Sequence, residues 1–163
     1  MEIYRPVSGV TVDRDQARLA ILKVPDRPGI AGEIFGALAD RRVSVDMIIQ
    51  AFHEGGRVND ITFTVKRSDL GTAQAALEET AARIGAEDVL ADEDVAKVSI
   101  VGAGLMDQPD VAARMFGALG RAGINIKMIS TSEIRISCAV SDKDAERAVQ
   151  VVHDLFHLDE SEV

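Results

Sequence analysis

The sequence predicts an α+β protein made of two ferredoxin-like βαββαβ units, the second completed by the N-terminal strand, and three observations predict it. Sliding the chain over itself by 81 positions lays "DRPGIAGEIFGALADRRVSVDMIIQ" on "DQPDVAARMFGALGRAGINIKMIST", with nine of 25 positions identical, including Asp26 with Asp107, Pro28 with Pro109 and all of "FGAL". This is an internal duplication. Within each copy, short stretches of period-2 apolar alternation flank and follow amphipathic stretches of helical period. The composition, 47% hydrophobic in 163 residues with four prolines and no low-complexity run, supplies enough apolar material for packed cores.

The elements follow in order. In the first copy "RLAILKV" alternates as a strand, and the turn "PDRPG" offers Asp26 as an N-cap, a proline in the first turn and a glycine at the bend. Ile30, Ile34, Phe35 and Leu38 then form one helical stripe. "VSVDMIIQAF" and "VNDITFTVK" read as two strands joined by "HEGGR", whose Gly55-Gly56 pair is a hairpin signal. A helix from about Asp69 to Ile84 buries Ala73, Ala76, Leu77 and Ile84, and "EDVL" closes the unit as a short strand. The second copy repeats the pattern with "KVSIVGA", a helix from about Pro109, "INIKMIS", "IRISCAVS" and a last helix using Ala145, Val149, Val152 and Phe156. After Phe156 the acidic "HLDESEV" is poor in strand formers, so the second copy lacks a fourth strand. "PVSGVTV" near the start is strand-like and has no place in the first copy. Residues 6–12 are therefore expected to cross over, giving a first domain over 17–92 and a second over 6–16 plus 93–158.

Several function classes are disfavoured. A net charge of −9 repels nucleic acid phosphates and acidic membranes, and six aromatic residues provide little for base stacking. The single cysteine, Cys138, sits inside an apolar alternation as a small core residue. The start "MEIYRPVSG" lacks a basic segment followed by an apolar one, and no run approaches membrane-spanning length, so a cytoplasmic protein is expected. No G-x-S-x-G or H-E-x-x-H occurs, and "VGAGLMD" fails the G-x-G-x-x-G pattern because its last required position is Asp107. His153 and His157 have i, i+4 spacing but no third ligand, and His53 stands elsewhere. No catalytic residue, metal or cofactor is expected.

The turn from Asp26 to Gly29 is the candidate binding site. Gly29 lets a ligand approach the backbone where the helix starts, and the N–H groups near Ile30 and Ala31 form an anion site for a carboxylate. Asp26 on the same turn can receive an ammonium group, so the two ends of a free α-amino acid are both met. The neighbouring strand ends in Gln50, an uncharged donor and acceptor suited to a hydroxyl, which points to a small polar amino acid such as threonine. The alternative is that Asp26 is an ordinary cap and Gln50 an ordinary strand-end residue. The second copy replaces Gly29 by Asp110, placing an acid where the carboxylate would bind.

At "PDRPGIAGEIFGALADRRVSVDMIIQ", "DITFTV", "KVSIVGAGL" and "INIKMISTSEIRIS" the chain resembles the tandem ACT-domain regulatory region of the aspartokinases over nearly its whole length. A start just upstream of "VSGV" is similar to the regulatory β subunit of two-subunit members. The resemblance implies feedback inhibition by threonine at an interface between ACT domains, with lysine acting jointly in some members, self-association through those domains, and a catalytic α subunit as partner. The family's binding positions match Asp26, Gly29, Ala31 and Gln50 in the first repeat and Asn125 and Ile126 in the second. For a second effector, the family's strand end survives as Ser130, Thr131, Ser132 and Glu133, while the loop from Asp107 to Ala112 lacks the Gly and hydroxyl of jointly inhibited relatives. An amino-acid sensor without a kinase partner, and an enzyme on a ferredoxin-like scaffold, are the competing readings. The first differs in having no co-purifying kinase chain, and the second needs an acid, a base and a nucleophile that these residues do not assemble.

Overall fold

The computed structural model describes residues 6–53 and 55–157. The elements are β1 (Gly9–Pro25), α1 (Ile30–Asp40), β2 (Val45–Phe52), β3 (Val58–Val65), α2 (Leu70–Ile84), β4 (Asp88–Val101), α3 (Pro109–Arg121), β5 (Ile126–Thr131), β6 (Arg135–Val140) and α4 (Ala145–Leu155). The chain divides into two compact units, one spanning 15–93 and the other joining the segment that ends at Arg14 to the segment that begins at Asp94.

In the unit 15–93 the strand order is β2-β3-β1-β4, and α1 and α2 cover one face. Leu19, Ile21, Ile61, Phe63 and Val65 from the strands meet Ile34, Leu38, Ala73, Ala76 and Leu77 from the helices, all buried. The predicted stripe of α1 packs as expected, with Phe35 half-buried and edge-on to Phe63 at 5.5 Å between ring centroids. One extra residue interrupts the β1–β3 register between Ile21 and Val24. Lys23 takes φ 51° there, and its N–H is held by Asp60 Oδ1 at 2.9 Å. The bulge shifts the alternation by one, so that Val24 rather than Lys23 enters the core.

The other unit has the order β1-β4-β6-β5, with α3 and α4 on its core. Its edge strand is the N-terminal half of β1, as the missing fourth strand of the second copy requires. Val7 is 2% exposed in this core, and Ser8 donates its N–H to Val101 O at 2.8 Å. A Cβ on Gly102 would lie 1.9 Å from Pro6 O, so the first glycine of "GAG" exists to let the N-terminal segment lie against the end of β4.

Two expectations are corrected. "PVSGVTV" and "RLAILKV" are one strand, β1, and "EDVL" and "KVSIVGA" are one strand, β4. Their polar middles, Asp13 to Asp15 and Asp92 to Asp94, read as breaks, yet they remain extended because their charges are engaged. Arg14 pairs with Asp142 at 3.1 Å and Arg18 with Asp92 at 3.0 Å. Asp15 accepts the Arg67 N–H at 3.0 Å, and Asp94 accepts the Asp142 N–H at 2.9 Å, matched bonds at the start of the second helix of each unit. The other correction concerns His153 and His157: α4 ends at Leu155, and His157 lies beyond it at φ 53°, so the two imidazoles do not share a helix.

Candidate functional site

The turn between β1 and α1 is built from its backbone outward. β1 ends opposite the start of β3, Pro25 against Val58, and the Asp26 N–H donates to Arg57 O at 3.0 Å. This ties the turn to the β2–β3 hairpin. The chain then reverses through Arg27, whose N–H reaches Pro25 O, and Ile30, whose N–H reaches Arg27 O at 3.3 Å.

The N-cap of α1 is Gly29 at φ 88°, and not Asp26. Asp26 lies three residues before the cap, exposed, and no side-chain cap bond is made. A Cβ on Gly29 would meet nothing within 4 Å, so the glycine is required by its left-handed backbone and leaves the space above the turn open. Of the N–H groups near Ile30 and Ala31 that the sequence leaves free, that of Ile30 is engaged. Ile30 spends its N–H on the turn, while Ala31 and Gly32 have no i−4 carbonyl bond among the described residues, leaving those two N–H groups at the positive end of α1. Arg27 and Glu33 flank them as an ion pair at 3.0 Å.

Gln50 is exposed on β2, opposite Ile61 of β3. Directly opposite residues of an antiparallel pair share a face, so Gln50 stands on the helix side of the sheet, as does Phe52, which is 83% exposed opposite Asn59. Asp26, Gly29, Ile30, Ala31 and Gln50 thus belong to one end of one unit, with Ile30 buried in its core. Beneath the hairpin, His53 Nε2 lies 2.8 Å from Asp60 Oδ1. Burial pushes the Asp60 carboxyl up, but the bonds from the Lys23 N–H and from His53 outweigh it and hold the group below the usual carboxylate range.

In the second unit Asn125 is exposed and Ile126 half-buried at the start of β5. Lys127 beside them donates to Asp94 O and lies 3.6 Å from Asp94 Oδ2. Ser130 is half-buried and Thr131 exposed at the end of β5, and Ser132 and Glu133 are exposed in the turn that follows, which is stitched to the loop after β4. The bonds are Leu105 N–H to Glu133 O at 2.8 Å and Gly102 N–H to Ile134 O at 2.9 Å. The helix start in this unit differs from its counterpart: α3 begins with Pro109 at its first position and Asp110 in its first turn, after Gln108. An open groove of about 360 Å³ runs between α1 and α2, lined by Gly32, Gly36, Arg41, Glu79 and Arg83 among others. Neither Asp26 nor Gln50 lines it. Among the described residues no group of three or more His, Cys, Asp or Glu side chains is arranged to hold a metal, and no helix is long and apolar enough to cross a membrane.

The ACT domain family matches the chain twice, over residues 18–82 and 98–156. The crystal structure of the regulatory subunit of aspartate kinase from Thermus thermophilus, in ligand-free form, superposes with a TM-score of 0.86 at 46% identity, covering 93% of this chain and 99% of that one. A crystal structure of aspartokinase α and β subunits gives a TM-score of 0.86 at 44% identity with the same coverage. The aspartokinase of Pseudomonas aeruginosa is 47% identical over 154 residues, which is 94% of this chain and 37% of that protein. The chain thus spans about 40% of the length of the curated relatives it matches.

Proposed function

We propose, because this chain belongs to the family of aspartokinase regulatory subunits with two ACT domains, that it is a threonine-binding allosteric element that restrains an aspartate-phosphorylating partner. The observation that carries the effector reading is the β1–α1 turn. It carries an exposed carboxylate, Asp26, and is followed at the helix start by the two N–H groups of Ala31 and Gly32, with Gln50 on the helix side of the same sheet end. The N–H pair receives the α-carboxylate, Asp26 the ammonium, and Gln50 faces the side chain. Asn125 and Ile126 of a second copy close the site, so ligand binding and pairing of ACT domains are coupled. Ser130, Thr131, Ser132 and Glu133 mark the position a second effector, lysine, would take. The partner is the catalytic chain of an aspartokinase, as in the relative whose α and β subunits were crystallised together.

A free amino acid has few atoms, and an efficient site for one yields about 5 to 8 kcal/mol, in the range from roughly 100 μM to micromolar. Calorimetry with threonine, lysine, methionine and isoleucine tests the assignment, with threonine expected to bind in that range and preferentially. Asp26→Ala removes a charged hydrogen bond worth about 1.5 to 3 kcal/mol and is expected to weaken threonine binding roughly ten- to a hundredfold. The fold is expected to be unaffected, since no side-chain cap bond is lost at this helix start. Normal threonine binding by this variant would refute the turn as the site.

A further inference from the structure

Asn59 breaks the pattern of its own strand. On β3 the residues at 59, 61, 63 and 65 share one face, and Ile61, Phe63 and Val65 all enter the helix-side core. Asn59 is the polar member of that series and is 1% exposed. Its Oδ1 is buried without a hydrogen-bond partner among the described residues. An amide oxygen in that state destabilises the fold, whereas an apolar residue of similar size at the same position would not.

Register places Asn59 beside the site. It lies opposite Val24 on β1, one residue before the strand's last, and opposite Phe52 on β2. It is two residues from Arg57, whose carbonyl accepts the Asp26 N–H, and Gln50 stands on the same face one pair further along. We infer that Asn59 reads the effector's side chain, its Oδ1 accepting a hydrogen bond from the hydroxyl of a small hydroxy amino acid seated on the Asp26–Ala31 turn. The division of labour follows from burial. The charged ammonium stays with exposed Asp26 and the carboxylate with the helix start, so the neutral side chain is the part that extends toward the buried neutral amide. This inference rests on the amino-acid reading of the turn and assigns the part of that site which selects a hydroxyl over a methyl.

The test compares threonine with valine, its near-isostere without the hydroxyl, by calorimetry on the whole chain, for wild type, Asn59→Leu and Asn59→Val. Wild type is expected to prefer threonine at least tenfold, because a site built for a hydroxyl leaves its acceptor unpaired with the analogue. In the variants threonine binding is expected to fall about tenfold while valine binding holds or rises, so the preference collapses, and thermal stability is expected to be equal or higher. A variant that keeps the wild-type preference overturns the inference and leaves the turn as the site. Absence of any amino-acid binding by wild type overturns the reading of the turn itself. As a measurement that needs no variant, the Asn59 side-chain amide resonances of the wild-type protein are expected to shift on saturation with threonine and not with valine. Unchanged resonances while threonine binds also overturn the inference.

Discussion

Replacing Gly102 by alanine tests whether the N-terminal segment holds the second unit together. The new Cβ would lie 1.9 Å from Pro6 O, 3.0 Å from Pro6 C and 3.3 Å from Leu105 Cδ2. Carbon and oxygen in close non-bonded contact sit about 3.3 Å apart, so one backbone has to move by roughly 1.4 Å. If the N-terminal segment yields, Val7 leaves a core in which it is 2% exposed, forfeiting about 1.5 kcal/mol. The two bonds from Ser8 to Val101 O, at 2.8 and 3.1 Å, go with it, at roughly 0.5 to 1 kcal/mol each in this exposed setting. If the loop after β4 yields instead, overpacking costs about 1 to 3 kcal/mol. The first route sums to about 2.5 to 3.5 kcal/mol and the second to about 1 to 3 kcal/mol. With a urea dependence near 2 kcal/mol per molar, the unfolding midpoint is expected to fall by about 0.5 to 1.7 M. Gly36→Ala is the control, because nothing lies within 4 Å of its Cβ position in the middle of α1. It is expected to stabilise by up to about 1 kcal/mol, through helix propensity and a less flexible unfolded chain. A Gly102→Ala protein that unfolds at the wild-type midpoint would refute the close approach of Pro6 and the closing role of this segment.

Three further outcomes are expected. The hydrogen bond from Ser141, the Asp142 N–H and Lys127 together hold the Asp94 carboxyl below its ordinary value of 3.8 against opposing burial. Its contribution to stability is therefore complete above about pH 3.8 and is lost as pH falls through the lower folded value, so Asp94→Asn should flatten the acid limb of stability between pH 5 and 2, measured by urea unfolding. Burial pushes the Cys138 thiol up to about 12, so the native protein should react with a thiol reagent at pH 8 only as fast as it opens, and at once when unfolded. If threonine bridges two copies through Asp26 and Asn125, sedimentation should show it tightening self-association by the factor by which association tightens threonine binding, and an unchanged association constant would place the ligand within one chain.

The duplication made most of the fold legible, because an offset of 81 positions carries Met47 onto Met128, both buried at a register shift in their strands. What escaped was whatever broke periodicity for a local reason. The bulge at Lys23 hides in "LAILKV", where apolar residues at 19, 21 and 24 depart from strict alternation by one. Asp13 to Asp15 and Asp92 to Asp94 fall between stretches read as separate strands, and only partners distant in sequence keep them extended. At the site, "DRPG" announced a helix start, but which residue caps it depended on a backbone angle at Gly29 that sequence does not encode uniquely. Asn59 was readable in principle, as a polar residue at a position the alternation of "VNDITFTV" reserves for the core.

The chain crosses between its two units twice, in the middle of β1 and in the middle of β4, and this orders its assembly in time. The unit 15–93 is contiguous and complete once Glu93 has been synthesised. The other unit holds an edge strand made first and a body made last, and Ser8 must find Val101 across 93 positions. Closing a flexible loop of that length costs roughly 4 kcal/mol of chain entropy. Inside the finished first unit, however, β1 and β4 are neighbours, with Arg18 already paired to Asp92. Both tails then leave from adjacent strands, and most of that entropy has been spent before the second unit begins to form. Folding from the middle outward is the expected path, in which the unit 15–93 forms first and the other follows. A single proteolytic cut at either crossing divides the chain into two fragments that each hold part of the unit closed by the N-terminal half of β1, so only that unit's non-covalent contacts keep them together.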